Sequence, residues 1–234
     1  MLEIYKASVE NVKELKRNRK KINQLVNQSI RNKSTDYIIT LTKTYSLVYS
    51  AFAETCFLKM IHTPNGFSDD LIRQIMTQRN LAEKWNKCLN LAFRKISNME
   101  NAGEVQNKRQ ILERLIEKYI IEPSQLRNKI AHGQWKVALN SENTATNLET
   151  TNKINTIDFV QVDILFQVYE KISQAVEDLI ESPHKAHFRD FYFHLTELNV
   201  LVESTNEWTM DSKIKVITEK MKRQKSRSQK LDKA

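Results

Sequence analysis

Glycine and proline are scarce in this chain of 234 residues, with three of each, where average usage would give about sixteen and about twelve. Glycine-rich phosphate loops, collagen-like repeats and turn-dense β-sandwiches all need more punctuation than that. Neither G-x-G-x-x-G nor G-x-x-x-x-G-K-[ST] occurs, which removes the two commonest nucleotide-loop readings. Cysteine is scarce too. Cys56 and Cys88 fall in apolar helical patterns, match no metal-ligand spacing, and read as buried thiols of a reducing compartment. Long apolar runs are missing: the most apolar stretch, 37–61, is interrupted by Lys43, Glu54 and Lys59, which argues against a membrane span. The opening residues hold no apolar segment of signal-peptide type. A soluble, cytoplasmic protein is therefore expected, with no membrane partner.

What the chain has in excess is positive charge, and it lies at the ends. The formal net charge is +9. Residues 1–33 carry nine basic and three acidic side chains, and 211–234 again nine and three, while 34–210 holds 19 basic against 22 acidic. Polyanionic partners are thus expected at the termini rather than over the body. Lys16, Arg17, Arg19, Lys20 and Lys21 are candidate RNA contacts, although a solvated basic helix face explains the same cluster.

Helical spacing runs through most of the chain. It covers 3–31 (Val9, Val12, Leu15, Ile22, Leu25, Ile30), then 35 to about 62, ended by Pro64-Asn65-Gly66, then 69–96 behind the cap-type residues Ser68-Asp69-Asp70. A fourth helix carries Ile111, Leu115 and Tyr119 toward Pro123, and Gly133 is placed to stop the turn that Pro123 restarts. Gln134–Asn140 alternates and 141–155 is rich in Asn and Thr, which predicts a short β-hairpin or an ordered polar loop. Asp158 opens a strong helix to about 181, another spans 185–203, and a last basic one from 211 to 222 is expected to fray. The expected class is all-α, an antiparallel up-and-down bundle over 34–181. A basic N-terminal helix over 1–33 and C-terminal helices over 182–222 flank it, with a basic disordered tail over 223–234. A bundle by itself carries no function.

One segment has chemistry. Between Pro123 and Gly133 lies Leu126-Arg127-Asn128-Lys129-Ile130-Ala131-His132. Asn128 and His132 are four apart and share a helix face, while Arg127 lies about 140° around from His132 and would reach the same ligand only by the length of its side chain. The bare spacing Arg-x4-His is weak, because Arg189 and His194 repeat it among helix-core aromatics and read as structural there.

The fuller string, R-N-x-x-A-H-G at 127–133, resembles the signature of the HEPN superfamily of all-helical domains: Arg, a polar residue, then His. The resemblance implies a HEPN-like bundle and a metal-independent endoribonuclease that cleaves RNA through its own 2′-OH, in toxin–antitoxin or anti-phage defence. It implies Arg127, Asn128 and His132 as the catalytic residues, two motifs meeting across a homodimer, no cofactor, and an antitoxin or defence-system partner. It also allows a non-catalytic HEPN-like module that binds a protein partner or a nucleotide. Toxins of the family that are paired with a nucleotidyltransferase antitoxin often carry Tyr two residues after the His; here Gln134 stands there, with Trp135 next, so control by modification of that Tyr is not expected.

The residue types suit the chemistry. A His can serve as general acid or base, Arg pairs with phosphate oxygens in a fork, and charge stabilisation is commonly the larger contribution. Glu54, in the stripe Leu47, Ala51, Glu54, Leu58 and Ile61, either orients Arg127 or His132 or faces solvent at the stripe's edge. Trp135 either stacks a base beside the site or packs as a core or interface aromatic. His184 and His187 have no matching acidic or thiol partner, so no metal site is expected.

Overall fold

The computed structural model describes residues 2–94, 96, 102–183 and 190–231. The long helices α1 (Leu2–Arg31) and α2 (Thr35–Ile61) form an antiparallel hairpin. Its turn places Lys33 at φ 57°, with the Ser34 amide donating to Ser29 O at 2.9 Å. That left-handed position closes the end of α1 much as a glycine would. Next come α3 (Asp69–Met76), α4 (Leu81–Arg94) and α5 (Ala102–Ile116).

A π-helical turn, Glu117–Ile121, joins α5 to α6 (Glu122–Ala131). Pro123 has no amide hydrogen, so the Tyr119 carbonyl four residues earlier loses its helical donor; the Tyr49 hydroxyl donates to it instead, at 3.3 Å. After α6 come α7 (Leu148–Thr156), α8 (Phe159–Glu181), α9 (Phe191–Thr205) and α10 (Met210–Leu231). No extended strand occurs among the described residues, and the protein is an all-α helical bundle.

Aromatic side chains dominate the seam between α2 and α8. Tyr45 stacks on Phe159 and Phe166 with ring centroids 4.5 and 4.8 Å apart, Phe52 meets Phe166 at 5.1 Å, and Phe57 meets Trp85 of α4 at 4.9 Å. Full burial of one such ring is worth roughly 1.5–3 kcal/mol. Cys56 and Cys88 lie buried and unpaired in this core, and burial pushes the Cys56 thiol up to about 12. Asp158 opens α8 with a capping box: Gln161 N–H donates to its carboxylate at 2.8 Å and the Gln161 side chain accepts from the Asp158 amide.

Four expectations change, the first being that the helical span expected over 69–96 is two helices, α3 and α4, with 77–80 between them. The hairpin after the motif reduces to one antiparallel bridge, Leu139 with Thr146, closed by hydrogen bonds between Asn140 and Ala145 and between Asn147 and Ala138. The Asn- and Thr-rich stretch contains α7, because Asn147 caps it through the Thr150 amide at 2.9 Å and Ile154 anchors it in a small cluster with Ile130 and Ala138. The basic tail continues α10 to Leu231 instead of fraying at 222; its Lys, Arg and Gln residues favour helix and no Gly or Pro interrupts them. His184, His187 and Arg189 lie outside the described residues.

Candidate active site at the end of helix α6

Gly133 ends α6. At φ 80° it supplies the left-handed residue of a Schellman closure, in which Gly133 N–H donates to Ile130 O at 3.1 Å and Gln134 N–H to Lys129 O at 2.9 Å. The Trp135 indole N–H adds a third bond to the same end, reaching Ile130 O at 3.0 Å. The ring therefore seals a helix terminus, with 39% of its surface still exposed.

The chain after Gly133 folds back over α6. Lys129 Nζ donates to the Leu139 and Asn140 carbonyls at 2.8 and 3.3 Å, and Gln134 Oε1 accepts from the Leu139 amide at 2.8 Å. Beneath this loop the buried Lys43 ammonium donates to the Ile154 carbonyl, and burial holds its pKa below the usual lysine range. Lys129 thus fastens the loop and Lys43 fastens α7, each through carbonyl oxygens.

The result is an open cleft of about 1020 Å³ whose walls include Asn128, His132, Gln134, Asn140 and Asn147. Asn128 and His132 sit together in it, both exposed, and among the described residues neither side chain has a hydrogen-bond partner. The lining is rich in amides, and its one cation, Lys129, is already bound to carbonyls.

Arg127 goes elsewhere. Its side chain is only 7% exposed and points toward α2, where Nη1 donates to Ser50 Oγ at 2.6 Å and lies 3.5 Å from Glu54 Oε1. An enclosed void of about 30 Å³ lies beside it, lined in part by Tyr49, Pro123 and Leu126. Burial pushes the Tyr49 phenol up, an effect that the nearby Arg127 guanidinium partly opposes, so the ring stays neutral. The motif is therefore split within one chain: Asn128 and His132 face the cleft, and Arg127 crosses to α2. Glu54 is 66% exposed and forms an ion pair with Arg127, and it is placed toward that residue rather than in the cleft with His132. Ser50 was missed, although it precedes Glu54 by one helical turn.

The basic cluster of α1 is only partly free. Arg19 is bound to Asp163 at 3.0 Å and to Tyr45, Lys16 pairs with Glu170, and Arg17 pairs with Glu14 at 3.1 Å. Lys20 and Lys21 are exposed. Among the described residues no group of three His, Cys, Asp or Glu side chains is placed to hold a metal ion, and no helix is long and apolar enough to cross a membrane. No known protein family, curated protein or solved structure matches the chain.

Proposed function

We propose that the protein is a metal-independent endoribonuclease of HEPN type, acting in the cytoplasm as a homodimer in toxin–antitoxin or anti-phage defence. The observation that carries this reading is the open placement of His132 beside Asn128 on a large amide-lined cleft. His132 takes the 2′-OH proton as general base, the 2′-oxygen attacks phosphorus, and the 5′-oxygen departs with a proton from a general acid. The products are a 2′,3′-cyclic phosphate and a 5′-hydroxyl. One chain supplies one such imidazole, so a second copy would bring the acid. Asn128 hydrogen-bonds a phosphate oxygen or the base edge.

Arg127 does not line that cleft; to stabilise the phosphorane its side chain would have to leave both Ser50 and Glu54 and turn from α2 toward the phosphate.

A second reading has its own support. The bonds from Arg127 to Ser50 tie α6 to α2, which suits a non-catalytic HEPN-like module whose motif serves the fold and whose cleft takes a protein partner or a nucleotide. Cleavage of RNA in EDTA separates the two. The nuclease reading expects His132→Ala to lose about 10²–10⁴-fold in rate, and Glu54→Gln to cleave at least as fast as wild type. Equal cleavage by wild type and His132→Ala, or none by either, would sink it. Arg127→Ala is read beside its melting temperature, because that side chain also holds the bundle.

A further inference from the structure

The two basic ends of the chain meet in the fold. Helix α10 lies against α1 and α8: Lys213 Nζ donates to Asn23 Oδ1 at 3.3 Å and stands 5.0 Å from the Phe159 ring centroid. By sequence α1 carries eight basic and three acidic side chains, and α10 eight and two. The two basic helices are thus neighbours in the fold rather than separate appendages, although Lys13, Lys16, Arg17, Arg19 and Arg223 are paired with acids.

A cavity of about 340 Å³ opens on that surface between the three helices. Phe159, Val216 and Ile217 give it an apolar wall, and Trp208 lines it while leaving 52% of its surface in solvent. Lys213 and Lys220 supply charge. The one carboxylate in the lining, Asp163, is already committed, because Tyr45, Arg19 and Gln167 all donate to it. Lys213 donates to the neutral amide of Asn23, lies over the Phe159 ring and feels the Asp163 carboxylate, and among the described residues the Asn27 carbonyl oxygen in the wall has no hydrogen-bond partner. Along α1 follows a second depression of about 500 Å³, lined by Lys16, Arg19, Lys20, Glu170 and the same Asn23 that accepts from Lys213; Glu170 pairs there with Lys16 and Arg19, which leaves Lys20 as the exposed cation.

An exposed indole beside two ammonium groups, of which that of Lys220 stands in solvent, suits a flat ring that carries a phosphate. Base stacking on an aromatic side chain combined with a cationic track is how single strands are held without sequence readout. A base inside a duplex is stacked and cannot enter such a cavity. We infer that the groove between α1 and α10 docks single-stranded RNA, with one unstacked nucleotide in the cavity, its base on Trp208 and its phosphate on Lys213 and Lys220. This rests on RNA being the polymer the protein acts on, and it places the docking surface on helices other than α6.

The test is fluorescence anisotropy of a labelled single strand of about twelve nucleotides, with the full chain carrying His132→Ala so that the probe survives. Trp208→Ala should weaken binding by about 5- to 100-fold, the range that loss of one base stack produces. Lys213→Gln with Lys220→Gln should weaken it by about tenfold and flatten its salt dependence. Unchanged binding in both variants overturns the proposal. So does duplex RNA binding as tightly as the single strand, a free nucleoside monophosphate binding as tightly as the oligomer, or Trp208-dependent binding to anionic lipid vesicles with no RNA bound. Matching circular dichroism spectra and melting temperatures keep misfolding out of the comparison. Trp208-dependent binding without any cleavage by the wild type would leave this docking site standing while the nuclease reading fell. His132-dependent cleavage with Trp208-independent binding would do the reverse.

Discussion

His132 and His194 occupy the same place in the same spacing, Arg-x4-His, and the fold treats them in opposite ways. His132 follows the last residue of α6, is exposed, and faces an open cleft. His194 lies in the first turn of α9, is 7% exposed, and is bonded to Asp178 of α8 at 2.7 Å through Nε2, while its Nδ1 is buried and has no hydrogen-bond partner among the described residues. What separates them is what comes next in the chain. Gly133 ends the helix directly after His132, so the ring stands past the final turn with nothing packed over it. After His194 the helix runs on to Thr205, and Leu195 and Leu198 beside it are buried. A spacing places two side chains on a helix; the helix end decides whether they reach solvent.

The largest effects should come from exchanging the two histidines' fates. In the proposed mechanism His132→Ala abolishes most RNA cleavage and shifts stability by less than about 0.5 kcal/mol, as exposed substitutions do. His194→Ala should leave cleavage within a few-fold of wild type and destabilise the fold by about 2 kcal/mol, because it strips a half-buried carboxylate of its partner. Paired cleavage assays and urea melts check both. A variant of His194 that melts like wild type while losing cleavage would reverse the contrast.

The same rule explains how much of this molecule was legible in its sequence. The helices were readable wherever a stripe and a stop signal coincided: Asp158 opening α8, Pro64-Asn65-Gly66 after α2, Gly133 closing α6. The face shared by Asn128 and His132 was legible for the same reason. Arg127 was not, because the length of its side chain allowed two destinations, and Ser50, which settles it, is a small hydroxyl with no pattern of its own. Helix α7 was hidden by a composition that suits loops equally well; its cap, Asn147, is one of many Asn residues nearby. The meeting of α1 with α10 joins residues as far apart as Asn23 and Lys213, and no local pattern reports such a contact.

If the closure at Gly133 is what exposes His132, weakening it should blur the contrast. Gly133→Ala meets no atom within 4 Å, so its cost is the backbone conformation alone, about 1–2 kcal/mol for a left-handed residue with a Cβ. Cleavage should fall with it, as the ring loses its fixed position at the cleft. Trp135→Phe keeps a ring at the helix end but removes the bond to Ile130, and should cost about 0.5–1.5 kcal/mol in urea melts. A Trp135→Phe protein that cleaves normally but is less stable would assign the indole to closure. One that loses RNA affinity at full stability would assign it to the base.

The finest test concerns Asp178, the acid that His194 has and His132 lacks. Burial raises its pKa above the ordinary 3.8, Glu177 and Asp190 add to the rise, and the bond to His194 works against it. The native state therefore holds that proton more tightly than the unfolded chain does. The stabilisation this gives is complete below pH 3.8 and is lost as pH rises through the native value. Asp178→Asn cannot titrate, so the stability of wild type minus that of the variant should decline as pH is raised through this acid range. Urea melts of the two proteins in parallel measure that difference, and repeating the pair in a His194→Ala background removes the contribution of the imidazole bonded to Asp178. A difference that stays flat would mean that the carboxylate is as well solvated in the fold as outside it, and the contrast between the two histidines would then rest on packing alone.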